Sequence, residues 1–133
     1  MNITDAKLNE WMALNVGGWE PRNELSRECE RPSPDFWFRV NPQGKGERYP
    51  GNRVPNYCHD GNLMLEVMEW LFARGWRICG EYDSDSPPWI DLHRVREPWL
   101  PDGEVLCRTI SKAVDFPRAL CELCHEAREK GWL

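Results

Sequence analysis

The sequence predicts an α+β fold, in which an antiparallel sheet of three to four strands is sandwiched between helices. Residues 57–133 are patterned as helix, three strands and helix, with a cap or a turn at each boundary. The residues between the strands, such as Pro87-Pro88, favour short antiparallel connections over parallel crossovers. A chain of 133 residues with 41% hydrophobic and 29% charged side chains fits one compact domain, residues 1–133.

The first predicted element is a short helix near the start of the sequence. Thr4 can cap it, because a hydroxyl at this position accepts a hydrogen bond from the first helical turn. The helix is predicted to run to about Val16 and to end at Gly17-Gly18, since glycine tolerates the left-handed conformation of a helix end. One stripe of the helix carries Leu8, Trp11, Met12 and Asn15.

Residues 19–55 are predicted to form a long, proline-rich excursion. They hold six of the eleven prolines, and only Phe36–Val40 has the alternation that indicates a strand. In this strand Phe36, Phe38 and Val40 share one face, and Trp37 lies on the opposite face. A loop-rich segment of this length in a small domain is more often functional or mobile than without a role.

The second helix is predicted to begin after the capping residue Asp60, to cover residues 61–74 and to end at Gly75. Apolar side chains cover most of its circumference, and only a narrow polar arc is left. Such a helix is either buried on more than one side or meets a partner. Central burial and a homo-oligomer interface through this helix are both open interpretations.

Three strands and a last helix complete the pattern. The strands are predicted over residues 76–82, 89–95 and 104–110, each with β-branched or aromatic residues between turn residues. The last helix opens at Asp115, and Gly131 closes it. Its predicted core stripe consists of Phe116, Leu120, Leu123 and Ala127.

Charge and composition narrow the function classes. The net charge of −5 argues against extensive electrostatic binding to the phosphates of nucleic acid. Double-stranded RNA-binding domains share the element order of residues 57–133, but the charges of residues 111–133 sum to zero here. The first residues lack the basic and apolar regions of a signal peptide, and no segment has the roughly 20 apolar residues of a membrane helix. We therefore expect a cytoplasmic protein with reduced cysteines, without a membrane partner or a cofactor.

Four segments resemble the phage ABA sandwich domain, a family of small phage proteins in which a sheet lies between two helical layers. The resemblance implies a phage or prophage accessory protein with no assigned activity, and it supplies no catalytic residues. Two features depart from the family pattern, namely the proline-rich residues 19–55 and the cysteines of the last helix. The four segments are Leu8-Asn9-Glu10-Trp11-Met12-Ala13 with Gly18-Trp19, Tyr57-Cys58-His59-Asp60 with Met64-Leu65-Glu66-Val67-Met68, Trp89-Ile90-Asp91-Leu92, and Asp115-Phe116-Pro117-Arg118-Ala119-Leu120-Cys121.

Cysteine and histidine occur in two pairs that could bind zinc. Cys121 and His125 are one helical turn apart, and Cys58-His59 comes directly before the second helix. Together they could supply a tetrahedral site if the fold brings them side by side. The alternative is a set of buried thiols with a surface histidine.

The leading functional hypothesis is a non-enzymatic accessory protein that binds a host protein or a small ligand during infection. The predicted binding residues are Trp37, Arg39 and Tyr49 of the excursion, because aromatic and arginine side chains are common interface anchors. The competing interpretation is that Trp37 and Tyr49 pack the excursion onto the sheet. Further alternatives are a counter-defence inhibitor with an acidic surface and a small zinc protein.

Overall fold

The chain divides into two compact units, Met1–Asn56 and Tyr57–Leu133. Each unit contains an antiparallel three-stranded sheet, so the predicted α+β class is confirmed. None of the helices in the described part of the chain is long and apolar enough to cross a bilayer. The computed structural model describes residues 3–23, 35–41, 43–51, 53–81, 85, 87–94, 104–111 and 113–133.

The first unit begins with helix α1, Asp5–Asn15. The Thr4 hydroxyl caps this helix by accepting a hydrogen bond from the Lys7 amide at 3.3 Å. Leu8 and Met12 lie four residues apart and are fully buried, so they form the inward face of the helix. The capping residue predicted from the sequence is confirmed.

The sheet of the first unit consists of strands β1 (Glu20–Arg22), β2 (Phe36–Val40) and β3 (Gly46–Arg48), in the order β1-β2-β3. Both neighbouring pairs are antiparallel. The Asn41 side chain closes the turn between β2 and β3 by accepting hydrogen bonds from two turn amides, each at 3.0 Å. The sequence predicts β2 but neither β1 nor β3, so residues 19–55 hold more regular structure than expected.

The second unit contains helices α2, Gly61–Phe72, and α3, Phe116–Glu129. The Asp60 carboxylate caps α2 by accepting hydrogen bonds from the amides of Asn62 at 2.9 Å and Leu63 at 3.4 Å. Both helices lie where the sequence predicts them, and α2 ends two residues earlier than expected.

The sheet of the second unit consists of strands β4 (Trp76–Glu81), β5 (Trp89–Arg94) and β6 (Glu104–Thr109), in sequence order and antiparallel throughout. Ile90 and Leu92 of the central strand are buried on one face. Both helices contact the sheet and each other, α2 at β4 and α3 at β5 and β6. The three strands are therefore confirmed, whereas a sandwich with helices on both faces of the sheet is not.

Each described helix is followed by a glycine and then a tryptophan. Gly75 after α2 has a φ of +83°, and Gly131 after α3 has a φ of +78°. These left-handed angles favour glycine and end the two helices. The rings of the following residues, Trp76 and Trp132, stack with centroids 6.5 Å apart and planes at 29°. Trp19 takes the same place after α1 and is only 4% exposed.

Candidate functional site

Two of the predicted binding residues, Trp37 and Arg39, lie on the inward face of β2. They are 4% and 8% exposed. The Arg39 guanidinium lies over the Trp19 ring, 4.3 Å from its centroid, and its Nη1 donates a hydrogen bond to the Gly17 carbonyl at 3.3 Å. It also pairs with the Glu47 carboxylate. The structure therefore corrects the expectation that Trp37 and Arg39 face a partner.

Tyr49, the third predicted binding residue, is half-buried beside the same tryptophan. Its ring meets the Trp19 ring edge to face, with centroids 5.7 Å apart and planes at 81°. Its phenol oxygen accepts a hydrogen bond from the Asn56 amide at 3.2 Å. Tyr49 thus packs on Trp19 within the first unit and Trp37 is buried, whereas the packing of the excursion onto the sheet of residues 57–133 stays a prediction.

The outward face of β2 carries two phenylalanines that are covered by arginines. Phe36 and Phe38 are half-buried, and Val40 is 65% exposed. The Arg22 guanidinium lies 4.2 Å from the Phe38 centroid, and that of Arg48 lies 4.4 Å from the Phe36 centroid. These five residues are called the arginine–phenylalanine face below.

Strand register and one glycine position the arginine–phenylalanine face. Phe38 lies between Glu20 and Arg48 across the sheet. A Cβ atom at Gly46 would come within 2.8 Å of the Phe38 ring, so the glycine lets this ring lie across β3. Arg22 pairs with Glu20 at 3.0 Å. Among the described residues, this surface carries the guanidinium groups of Arg22 and Arg48 and the carboxylate of Glu20, within a chain of net charge −5.

A second exposed apolar surface lies on helix α2. Leu65 and Phe72 are 58% and 50% exposed, and they are seven residues apart, which places them on one side of the helix. Leu63, Val67 and Leu71 are buried on another side. Helix α2 therefore packs into its unit along one stripe and presents an apolar surface along another.

The fold brings together two of the four predicted zinc ligands. Cys58 and Cys121 are buried, and the Cys121 sulfur lies 3.4 Å from the carbonyl oxygen of Tyr57, the residue directly before Cys58. His59 is exposed, and His125 is half-buried with its Nδ1 3.7 Å from a Glu129 oxygen. Within the described residues, no three His, Cys, Asp or Glu side chains are close enough together to hold a metal ion. The four residues thus do not form the predicted tetrahedral site.

The buried thiols differ in their acidity. The hydrogen bond from Cys121 lowers the pKa of Cys58, against the opposing effects of burial and of the Glu122 charge. The same hydrogen bond and burial raise the pKa of Cys121 well above its usual range. Burial also raises the pKa of Cys124, one turn further along α3, to about 12. Cys58 is therefore the thiol of this group that ionises first.

A cleft of about 610 Å³ lies between the end of β6 and the start of α3. Glu122 lies between two arginines, with an oxygen 3.2 Å from Arg108 and another 2.9 Å from Arg118. The Ser111 hydroxyl donates to the Asp115 carboxylate at 2.7 Å. No motif in the sequence indicates this cleft, because its walls come from separate segments. The lining residues are Pro87, Pro88, Arg108, Thr109, Ile110, Ser111, Asp115, Arg118, Ala119 and Glu122.

Comparisons of the chain with protein-family models, with curated proteins and with solved structures give no match. The resemblance of four segments to the phage ABA sandwich domain therefore stays a prediction. A function is therefore proposed from the exposed surfaces and the buried thiols of the two units.

Proposed function

We propose that this protein is a non-enzymatic, phage-encoded accessory protein that binds a host protein through the arginine–phenylalanine face. The observation that carries the proposal is the stacking of Arg22 and Arg48 on Phe38 and Phe36 on the open side of β2. Arginine and aromatic side chains are enriched in protein interfaces and supply many of their hot spots. The phage origin is supported by the resemblance of the four sequence segments.

The chemistry of the arginine–phenylalanine face favours an acidic partner surface with apolar side chains. A guanidinium held flat on an aromatic ring is already partly ordered, so less side-chain entropy is lost when it meets a carboxylate. Val40, at 65% exposure, extends the apolar part of the surface. Acidic groups around an apolar contact on the partner would complement both properties.

An acidic inhibitor surface is a weaker alternative for α3. Glu122 and Glu126 each form an ion pair with Arg108, so the negative charge of these two side chains is balanced by an arginine. This arrangement gives no support to the counter-defence alternative that requires an unbroken acidic face.

A small polar ligand in the cleft of the second unit is the second candidate function. The observation that favours it is the cleft volume of about 610 Å³, which lies in the range of small-molecule sites. Arginine, carboxylate and hydroxyl groups in one cleft would orient a ligand that has both donors and acceptors.

The test of host-protein binding compares two double variants. Wild-type protein, Phe38→Ser with Arg48→Ala, and Leu65→Ser with Phe72→Ser are each used to capture proteins from a lysate of the host bacterium. Calorimetry with the purified captured protein then measures affinity. We expect the first variant to bind at least about tenfold more weakly, and the α2 variant to bind like the wild type. Equal binding by wild type and the first variant would refute the proposal.

The oligomeric role proposed for α2 has its own measurement. Native mass spectrometry of the wild type and of the Leu65→Ser, Phe72→Ser variant reports their masses under identical conditions. A wild-type dimer that becomes a monomer in the variant would assign assembly to the exposed side of α2. A monomeric wild type would exclude assembly through this helix at the concentration used.

A further inference from the structure

The two thiols that the fold brings together come from distant parts of the second unit. Cys58 lies in the turn before α2, and Cys121 lies in α3. They are 0% and 1% exposed, and the Cys121 sulfur lies against the backbone of Tyr57, the residue directly before Cys58. Neither is part of a disulfide. Two buried, reduced thiols on adjoining segments can form a disulfide once their sulfur atoms meet.

The Cys121 thiol has two acceptors on the segment before α2. Its sulfur lies 3.4 Å from the Tyr57 carbonyl oxygen, to which the S–H donates. The Cys58 sulfur is the alternative acceptor for this single hydrogen. Tyr57 is 1% exposed, and Asp60 caps α2 directly after this turn, so the backbone that carries Cys58 is held at both sides. The same contacts therefore hold the pair together.

The pair is asymmetric, which assigns a different role to each thiol. The Cys121 S–H can donate to Cys58, so it stabilises a thiolate at Cys58 and lowers the pKa of that group. Donation to Cys58 and burial raise the pKa of Cys121, although the nearby Arg118 charge opposes this. Because the thiolate is the nucleophilic form of cysteine, Cys58 is the attacking thiol and Cys121 the resolving thiol.

We propose that Cys58 and Cys121 form a redox modification site, at which a peroxide converts the two thiols into a reversible intramolecular disulfide. The Cys58 thiolate attacks one peroxide oxygen, the O–O bond breaks, and the leaving oxygen takes up a proton. The resulting sulfenic acid is attacked by the Cys121 sulfur, which forms the S–S bond and releases water. In total two thiols and one hydrogen peroxide give one disulfide and two waters.

The disulfide would tie the turn before α2 to α3 across a loop of roughly 60 residues, and a cross-link over a loop of this length strongly restricts the unfolded chain. The reduced and oxidised forms therefore differ in thermal stability. Because both thiols are buried, oxidation requires local opening of the turn and is slower than modification of the exposed Cys79 and Cys107.

The test uses the full chain with Cys29, Cys79 and Cys107 replaced by serine, so that Cys58, Cys121 and Cys124 are the thiols present. After treatment with hydrogen peroxide, we expect a peptide map with a Cys58–Cys121 cross-link whose mass is about 2 Da below that of the two thiol peptides. Dithiothreitol should restore both peptides. The oxidised protein should unfold several degrees higher, by roughly 5 °C or more.

Three matched variants in the same background make the result decisive. Cys124→Ala should keep the cross-link, because it removes only the neighbouring thiol. Cys58→Ala and Cys121→Ala should each abolish it, and Cys121→Ala should leave Cys58 as sulfenic or sulfinic acid. A cross-link that involves Cys124, one that joins two molecules, or no cross-link at peroxide levels that oxidise Cys58 would overturn the proposal.

Discussion

On each face of strand β2 an arginine stacks on an aromatic ring, and the arginine is buried on one face and exposed on the other. On the inward face, Arg39 lies over Trp19 and is 8% exposed, with a backbone carbonyl and the Glu47 carboxylate as further contacts. On the outward face, Arg48 lies over Phe36 and remains exposed. An arginine stacked on an aromatic ring therefore does not by itself mark a binding surface. Burial and the acceptors around the guanidinium decide whether the pair holds the fold together or meets a partner.

The largest effect is expected for removal of an aromatic side chain from the inward face. Trp37→Ala should lower the free energy of unfolding by about 3 to 5 kcal/mol, because it leaves a cavity in the first unit. Phe36→Ala on the outward face should cost about 1 kcal/mol, since this ring is only half-buried. Urea unfolding followed by circular dichroism measures both values. Similar losses for the two variants would contradict the assignment of the inward and outward faces.

A smaller difference is expected between the two arginines. Arg39→Met should cost about 2 to 3 kcal/mol, because it keeps the aliphatic stem but removes the donor to the Gly17 carbonyl and the partner of Glu47. Arg48→Met should cost at most about 0.5 kcal/mol, as is usual for exposed charges. Unfolding in low and high salt provides the control. The Arg39→Met loss should persist in salt, whereas any Arg48→Met loss should shrink.

The contrast between buried and exposed groups extends to the thiols and predicts a pH effect. Burial raises the pKa of Cys124 from about 9 to about 12, so the unfolded chain loses this proton first as the pH rises. The stability contributed by the buried thiol is complete below pH 9 and is lost between pH 9 and pH 12. Between pH 8 and pH 10 the wild type should lose about 1.4 kcal/mol more than Cys124→Ala.

The control for the pH effect is the exposed Cys79. Cys79→Ala should show the same pH dependence of unfolding as the wild type, because it removes an exposed thiol and leaves the buried Cys124 in place. Parallel pH curves for the wild type and Cys124→Ala would show that the Cys124 thiol does not resist ionisation in the folded state.

The second unit could largely be predicted from the sequence because its signals are local. The Asp60 cap, the glycines after the helices and the turns between three strands each depend on a few adjacent residues. The strands β1 and β3 had no such signal, since they are three residues long. A proline in β1 and a glycine in β3 also count against a strand in any prediction from residue preferences.

The sequence predicts that Trp37 and Arg39 face a partner, whereas both are buried on the inward face of β2. Alternation separates Phe36 and Phe38 from Trp37 and Arg39, yet it does not determine which set points inward. That choice depends on Trp19 and Tyr49, which pack from other segments. The pairing of Cys58 with Cys121 could not be predicted for a similar reason, because only the folded chain brings these two residues together.

The repeated glycine and tryptophan after each helix gives the two units different optical properties. Trp76 and Trp132 are stacked 6.5 Å apart in the second unit, whereas Trp19 of the first unit meets Tyr49 at a right angle. Two indole rings at this distance, with planes inclined at 29°, couple their electronic transitions and split the circular dichroism band into lobes of opposite sign. The second unit therefore carries a built-in chromophore pair, and the loss of that split band reports separation of the ends of α2 and α3 without any added dye.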